Sequence, residues 1–432
     1  MSDLLAAWAQ MAMSLGFHII FAVLGIGMPL LMVLSERQWL KTRDPVWLDL
    51  TKRWSKGTAI LFAVGAVSGT VLSFELGLLW PAFMEYAGAI IGMPFSLEGF
   101  AFFTEAIFLG IYLYGWQRLS ARAHWWAGVA VAVSGTISGI FVVFANAWMN
   151  SPTGFRIVDG KPVDIDPIAA MLNPAAFTQS LHMTLAAFVS TGIAVAGIHA
   201  WMLRRDTSSP FHRAALKVAL MIAVPASLLQ VISGDLSGKF IARWQPVKLA
   251  AIERHFETTR GAPLLLGGVP DEAAGVTRHA IAVPKMLSVL AFSDPEAEVR
   301  GLNDFPREDW PPLAVVRYAF QVMVGLGGMM AFASLWVIVC WVRKREVALK
   351  RPLLTFLALL TPAGFIAVEA GWVVTEVGRQ PWIIQGFMRT ADAVTPMPGL
   401  VIPFTIFTVL YCFLGVIVAW LLWAQIVRVR PA

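Results

Sequence analysis

The sequence predicts an all-α polytopic membrane protein with about nine transmembrane helices. Of its 432 residues, 58% are hydrophobic and 14% are charged, whereas about 25% are charged in soluble domains. The mean hydropathy is +0.69. Apolar stretches recur that are long enough to cross a bilayer, which takes ~20 helical residues. A soluble globular fold is therefore excluded.

Nine apolar stretches are predicted to span the membrane, separated by short connections except after the sixth. The organisation that follows is spans one to six within 1–233, an outer loop over 234–312, and spans seven to nine within 313–432. The predicted spans are 10–34, 55–80, 95–116, 125–148, 177–203, 214–233, 313–342, 353–377 and 400–427. The long loop carries both signs of charge, and its composition suits either a binding element or a disordered spacer.

Basic residues are concentrated on one side of the predicted bundle. The first connection carries six of them, between Arg37 and Lys56, whereas the segment 81–96 carries none. Because cytoplasmic loops are enriched in lysine and arginine, we predict a periplasmic N-terminus and a cytoplasmic C-terminus. The net charge of +6 is explained by this bias, so no nucleic-acid partner is expected.

Four potential iron ligands lie at similar depth in the predicted spans: His18, His182, Met323 and Glu369. At 1.5 Å per residue, all four fall ~9–15 Å below the outer surface. Imidazole and thioether are known axial ligands of haem iron, and a carboxylate at this depth needs a strong partner. The alternative is a hydrogen-bonded structural role for each histidine and ordinary core packing for Met323. The remaining histidines include four that we interpret as surface residues: His124, His212, His255 and His279.

Further carboxylates and a lysine mark two other candidate sites. Glu98 and Glu105 are seven residues apart in the third span, which places both on one helix face and indicates a proton relay. The alternative is a pair satisfied by neighbouring polar groups. In the outer loop, Lys248 and Glu253 lie on a short amphipathic stretch, where they could equally be an ordinary exposed pair.

Several short motifs together resemble subunit I of the cytochrome bd-type quinol oxidase family, over nearly the whole chain. They are GRQPW at 378–382, KLAAIE at 248–253, LEGFAFFTE at 97–105 and NAWMN at 146–150. The resemblance implies a haem-containing quinol:oxygen oxidoreductase in the bacterial inner membrane. Such an enzyme oxidises ubiquinol outside, reduces O2 to water with cytoplasmic protons, and thereby contributes to the proton-motive force.

The resemblance also implies roles for individual residues. His182 and Met323 match the axial ligands of a low-spin haem b, and His18 and Glu369 match the ligands of two high-spin haems. One of these is haem b and the other is haem d, or a third haem b in its place. Lys248 and Glu253 match residues of quinol oxidation, and Glu98 and Glu105 match a proton path. Arg379 is suited to pair with a haem propionate or with Glu376.

Two positions depart from the commoner family pattern. Gln321 stands where an arginine often precedes the methionine ligand, and Phe365 stands where some members have tryptophan. With the short quinol loop, these differences resemble the cyanide-insensitive branch, in which haem d can be replaced by haem b. The implied partners are a second membrane subunit (subunit II) and a small accessory subunit.

Two other functions are compatible with buried carboxylates. A proton-coupled secondary transporter would use them as substrate and proton sites, but transporters are commonly built from inverted repeats, and none is evident here. A catalytically silent haem-binding subunit is the other alternative.

Overall fold

A computed structural model of the chain describes residues 1–271, 275–344 and 350–424. Within these residues, nine helices are long and apolar enough to cross a membrane. The predicted fold class is therefore confirmed. The last predicted span, 400–427, extends beyond the described residues at its C-terminal end.

The first half of the chain forms long helices that extend beyond the predicted apolar stretches. Polar caps explain the added turns: Ser2 accepts a hydrogen bond from the Leu5 amide, and Asp44 precedes Pro45 at the start of the second helix. Hydropathy detects only the apolar part of such helices. The elements are α1 (Asp3–Thr42), α2 (Pro45–Leu79), α3 (Pro81–Tyr114), α4 (Ala121–Asn150), β1 (Arg156–Val158), β2 (Lys161–Val163), α5 (Pro167–Met171), α6 (Ala176–Leu203) and α7 (Pro210–Trp244).

The outer loop begins later than predicted and is folded. Helix α7 continues past the predicted end at 233, because charged residues near its C-terminal end pair along the helix, as Lys239 does with Asp235 at 2.7 Å. The spacer alternative is therefore wrong for the described part of the loop. Its elements are α8 (Pro246–Glu253), β3 (Thr259–Arg260), β4 (Leu264–Asp271), β5 (Val276–Val283), α9 (Met286–Phe292) and β6 (Glu298–Val299), with β4 antiparallel to β5 and β3 antiparallel to β6.

The predicted eighth span is interrupted rather than continuous. Pro362 lacks the amide hydrogen that a helix interior needs, and the helix breaks just before it. The remaining elements are α10 (Leu313–Lys344), α11 (Arg351–Leu359), α12 (Ala363–Glu376), β7 (Trp382–Ile384), β8 (Met388–Arg389), α13 (Thr390–Ala393) and α14 (Val401–Leu422). The short β7–β8 hairpin directly follows the Gln380–Pro381 peptide, which is cis.

Helices α1, α6 and α7 form the centre of the bundle. About half of the residues in their most apolar stretches are buried, against about a tenth in α14, which therefore lies at the periphery. Close packing at the centre depends on small residues. A Cβ added to Gly192 on α6 would lie 2.9 to 3.1 Å from the Cβ, N and Cα atoms of Ala223 on α7.

We expect Gly192→Ala to lower the free energy of unfolding by about 1–3 kcal/mol, since overpacking against backbone forces the two helices apart. The midpoint of thermal loss of helicity in detergent measures this. Gly238→Ala on α7 is the control, because open space surrounds Gly238. Equal midpoints for the two variants would contradict the packing argument.

Candidate functional site

His18 on α1 is held by a hydrogen bond to the neighbouring helix α2. Its Nδ1 lies 2.9 Å from the Ser68 hydroxyl oxygen, which in turn donates to the Val64 carbonyl. The ring packs closely on Gly69, where an added Cβ would lie 3.0 Å from His18 Cε1. A bond at Nδ1 orients an imidazole and leaves Nε2 for a metal.

His182 on α6 has a similar arrangement with α7. Its Nδ1 lies 3.0 Å from the Ser233 hydroxyl, and the Gln230 amide nitrogen lies 3.1 Å from its Nε2. Gln230 Oε1 is buried without a hydrogen-bond partner. The Gln230 amide must therefore turn aside if His182 Nε2 is to bind iron.

Met323 and Glu369 lie between α10, α12 and α1. A Cβ on Gly371 of α12 would lie 2.9 Å from Met323 Sδ, and a Cβ on Gly16 of α1 would lie 3.3 Å from Glu369 Oε2. Glu369 therefore reaches α1 two residues from His18. Its other oxygen, Oε1, is buried without a hydrogen-bond partner, which is unfavourable unless a ligand or proton satisfies it.

An ion pair lies at the C-terminal end of α12. Arg379 of the GRQPW pentapeptide donates to Glu376 Oε2 at 2.5 Å, and Asn146 on α4 donates to Glu376 Oε1 at 2.6 Å. The Arg379 side chain is only 2% exposed, yet its Nε and Nη1 atoms have no partner. The expected pairing with Glu376 is confirmed, and two donors of Arg379 remain for an anionic group.

Lys248 on α8 is buried beside this ion pair. Its ammonium nitrogen donates to Asn150 Oδ1 at 3.0 Å and to the Thr375 carbonyl at 3.2 Å. Its stem packs on Gly378, where a Cβ would approach to 3.3 Å. Burial and the neighbouring Arg379 cation lower the pKa of Lys248 to about 7, although the Glu376 anion opposes this shift.

Glu253 at the end of α8 has a different partner from Lys248. Arg317 on α10 donates to Glu253 Oε2 at 3.0 Å. Burial raises the pKa of Glu253, and the Arg317 cation and hydrogen bond oppose that rise. Because Lys248 is 4% and Glu253 is 6% exposed, the interpretation of an ordinary exposed pair is wrong.

Glu98 and Glu105 share one face of α3, as their spacing predicts, and that face is turned to α4. Ser138 donates to Glu98 Oε1 at 3.1 Å. A Cβ on Gly135 would lie 2.9 Å from Glu105 Oε1. The α3–α4 interface therefore contains two carboxylates and one hydroxyl at consecutive levels.

Sequence reasoning missed two buried polar clusters. In one, Glu36 accepts a hydrogen bond from Tyr112 at 2.7 Å and lies 2.7 Å from His124 Nδ1. His124 and also His255 are buried, so their interpretation as surface residues is wrong. In the other, Glu75 accepts from Gln10 and Ser14. The criterion that singled out Glu369, a lone carboxylate inside an apolar stretch, would also have found Glu75.

These residues fit haem rather than a directly bound metal cluster. Among the described residues, no group of three or more His, Cys, Asp or Glu side chains could hold a metal ion. Haem iron instead needs single axial donors, and His18, His182, Met323 and Glu369 are presented singly by four different helices. The unpartnered Glu369 oxygen and Arg379 nitrogens suit an iron and a propionate.

The fold and site together define a multi-pass membrane protein with single donors suited to haem and a buried polar cluster at one end of the helix bundle. Residues 6–430 match the family model described as cytochrome bd terminal oxidase subunit I. The chain belongs to this family.

Named relatives and a solved structure agree with that assignment. The chain is 38% identical to a Bacillus subtilis (strain 168) protein named as subunit I of a cytochrome bd menaquinol oxidase, over 98% of this chain and 96% of the relative. It is 30% identical to the cytochrome bd ubiquinol oxidase subunit 1 of the same organism, over 98% and 93%. The bd oxidase structure from Geobacillus thermodenitrificans superimposes with a TM-score of 0.93 and 38% identity, covering 99% of each chain.

The chain is therefore subunit I of a cytochrome bd-type quinol oxidase, a haem-containing respiratory oxidoreductase of the bacterial inner membrane. Being subunit I, it implies a subunit II partner. Membership of this family favours the oxidase over both the transporter and the silent haem-binding subunit.

We expect Glu376→Gln to destabilise the protein by about 1.5–3 kcal/mol, because Arg379 is buried and loses a charge-assisted hydrogen bond. Thermal unfolding in detergent measures the change. Glu308→Gln is the matched control, since Glu308 also pairs with an arginine but is 73% exposed, and exposed pairs contribute little. A loss of the same size in both variants would refute the burial argument.

Proposed function

We propose that this chain oxidises quinol at its periplasmic face and passes the electrons through haems held between its helices to oxygen. The strongest support is the set of buried polar atoms that lack protein partners: an acceptor oxygen of Glu369 and two donor nitrogens of Arg379. Buried polar atoms in native proteins are almost always satisfied, so these atoms are suited to a bound group.

The ligand assignment follows the resemblance and the helix placements. His182 on α6 and Met323 on α10 would hold the low-spin haem b, with Ser233 orienting the histidine. His18 and Glu369 would hold the two high-spin haems, and Arg379 would bind a propionate through its free nitrogens. Bound haem supplies the electron carriers and the iron position at which oxygen is reduced.

The quinol site is proposed at α8. Glu253 would accept a quinol proton, and the Lys248 ammonium would donate a hydrogen bond to the quinol oxygen and stabilise its developing negative charge. The substrate is ubiquinol in this proposal. Menaquinol is the second candidate, because the relative at 38% identity is named a menaquinol oxidase.

Protons for oxygen reduction would arrive from the cytoplasm by way of Glu105 and then Glu98, with Ser138 beside the latter. Quinol protons would leave on the periplasmic side, where the N-terminus lies and where 234–312 forms the quinol-binding loop. This sidedness would contribute to the proton-motive force without a separate pump.

The finer identity of the enzyme is also proposed from the sequence. Gln321 and Phe365 support membership of the cyanide-insensitive branch, in which a third haem b can stand in the place of haem d. A small accessory subunit would join subunit II in the complex.

The oxidase activity is tested through Lys248. We expect Lys248→Met to lower the quinol-driven oxygen consumption of the purified complex about 10–100-fold, as loss of a charge-assisted hydrogen bond predicts. Since the Lys248 pKa is about 7, the side chain is charged below that pH and neutral above it. The wild-type rate should therefore fall as pH rises through about 7, and the variant should lack this alkaline limb.

Lys239→Met is the matched control, because Lys239 is a partly exposed lysine on α7 paired with Asp235. Both variants should keep haems that dithionite reduces. Parallel assays with ubiquinol and menaquinol decide the substrate. An unchanged rate and pH profile in Lys248→Met would exclude Lys248 from quinol oxidation.

The haem ligands are tested by spectroscopy. We expect Met323→Leu to convert the low-spin haem to a high-spin form, because leucine fills the space but offers no donor to iron. Visible absorption spectra of the reduced and oxidised protein measure the change. Met330→Leu, a buried methionine on the same helix, should leave the spectrum unchanged. A low-spin spectrum that survives Met323→Leu would show that another residue is the ligand.

A further inference from the structure

Arg317 joins the quinol loop to the helix that carries Met323. It lies in the second turn of α10, six residues before Met323. Its Nη1 atom donates to Glu253 Oε2 at 3.0 Å and to the Ile252 carbonyl at 2.9 Å, and its Nη2 atom donates to the Leu265 carbonyl at 2.5 Å. The guanidinium therefore contacts both the end of α8 and the strand β4, and the residue that carries it belongs to α10.

The burial of this contact makes its geometry important. Arg317 is 4% exposed, so its charge is poorly solvated and depends on these three oxygens. A guanidinium presents several donors in a fixed planar fork, whereas an ammonium is a single point. Lysine at this position could pair with the Glu253 carboxylate but could not hold the two separated carbonyls in the same way.

We propose that Arg317 is a positioning residue for quinol oxidation, which fixes the Glu253 carboxylate and clamps the β4 hairpin to the haem-carrying helix α10. It does not touch the reacting atoms itself. The proposal rests on the role proposed for Glu253. If so, the stretch of α10 from Arg317 to Met323, six residues along the helix, connects the proposed quinol site to the proposed ligand of the low-spin haem.

The charged groups around Glu253 determine how its pKa should change when Arg317 is replaced. Arg317 from α10 is the cation in contact with it in the described residues. The next two residues have other contacts: the Arg254 guanidinium lies 5.0 Å from the Tyr318 ring centre, and His255 Nε2 lies 3.2 Å from the Val299 carbonyl. Removing the Arg317 cation should therefore raise the pKa of Glu253 further, since burial already raises it.

The experiment compares Arg317→Met and Arg317→Lys in the complete oxidase complex. We expect Arg317→Met to lower the kcat for quinol at least about tenfold and to move the acid limb of the rate profile to higher pH, because a protonated Glu253 cannot accept a proton. Arg317→Lys should restore the position of the acid limb while recovering only part of kcat. The spectrum of the dithionite-reduced low-spin haem should stay unchanged in both, which shows that the fold persists.

Arg254→Met is the matched control, because Arg254 is a neighbouring buried arginine, whereas the ion pair of Glu253 is formed with Arg317. If Arg317→Met and Arg254→Met lower thermal stability alike and neither moves the acid limb, Arg317 is only a structural tie and the proposal is overturned. If Arg317→Met unfolds the loop, the Arg317→Met/Glu253→Gln double variant, which leaves no buried unpaired charge, takes its place. The proposal requires its rate to match that of Glu253→Gln alone.

Failure of this proposal is distinguishable from failure of the proposed function. If Glu253→Gln leaves the quinol-driven rate unchanged, Glu253 is not a quinol residue and both ideas fail at this site. If Glu253→Gln lowers the rate but Arg317→Met does not, Glu253 keeps its role and Arg317 loses the one proposed here. If the effects of Glu253→Gln and Arg317→Met multiply in the double variant, the two residues act independently and the positioning role is wrong.

Discussion

The end of the bundle that carries α8 and the GRQPW segment depends on the ion pair between Glu376 and Arg379, together with the asparagines of α4 that surround it. Asn146 holds Glu376, and Asn150, one turn later, holds Lys248. Two cations, Arg379 and Lys248, are thereby kept close together in a buried region. Such an arrangement is stable only when each charge has fixed partners. The docking of α8 and the path of the GRQPW segment both follow from this requirement.

Some buried polar groups of the chain have all their hydrogen-bond partners within the protein, and others do not. The cluster of Glu36, Tyr112 and His124 uses its donors and acceptors internally, which is typical of a structural network. Glu369 Oε1 and two nitrogens of Arg379 are among the buried side-chain atoms that remain without partners. In the function proposed for this bd-type oxidase, these unpartnered atoms contact the bound haem groups.

Much of the fold and part of the site could be predicted. Nine apolar stretches gave the nine spans because the bilayer imposes a length and a composition on each crossing. The helical repeat placed Glu98 and Glu105 on one face, because the direction of a side chain on a helix follows from its position in the sequence. The helices were predicted too short, because caps and charged turns, such as the C-terminal turns of α7, extend a helix without raising its hydropathy. Surface positions were wrongly given to His124 and His255 because the burial of a polar residue is set by contacts distant in sequence.

The sequence by itself determined the class of the protein, the number of crossings and the residue types that can bind iron. It also contained the motifs that resemble bd oxidases, since those depend on residue identity and short spacing. Only the tertiary structure decided that Lys248 and Glu253, five residues apart, have separate partners, Asn150 and Arg317. The physical reason is that hydrogen-bond geometry between helices depends on how the helices pack, and no local pattern encodes a partner that comes from another helix.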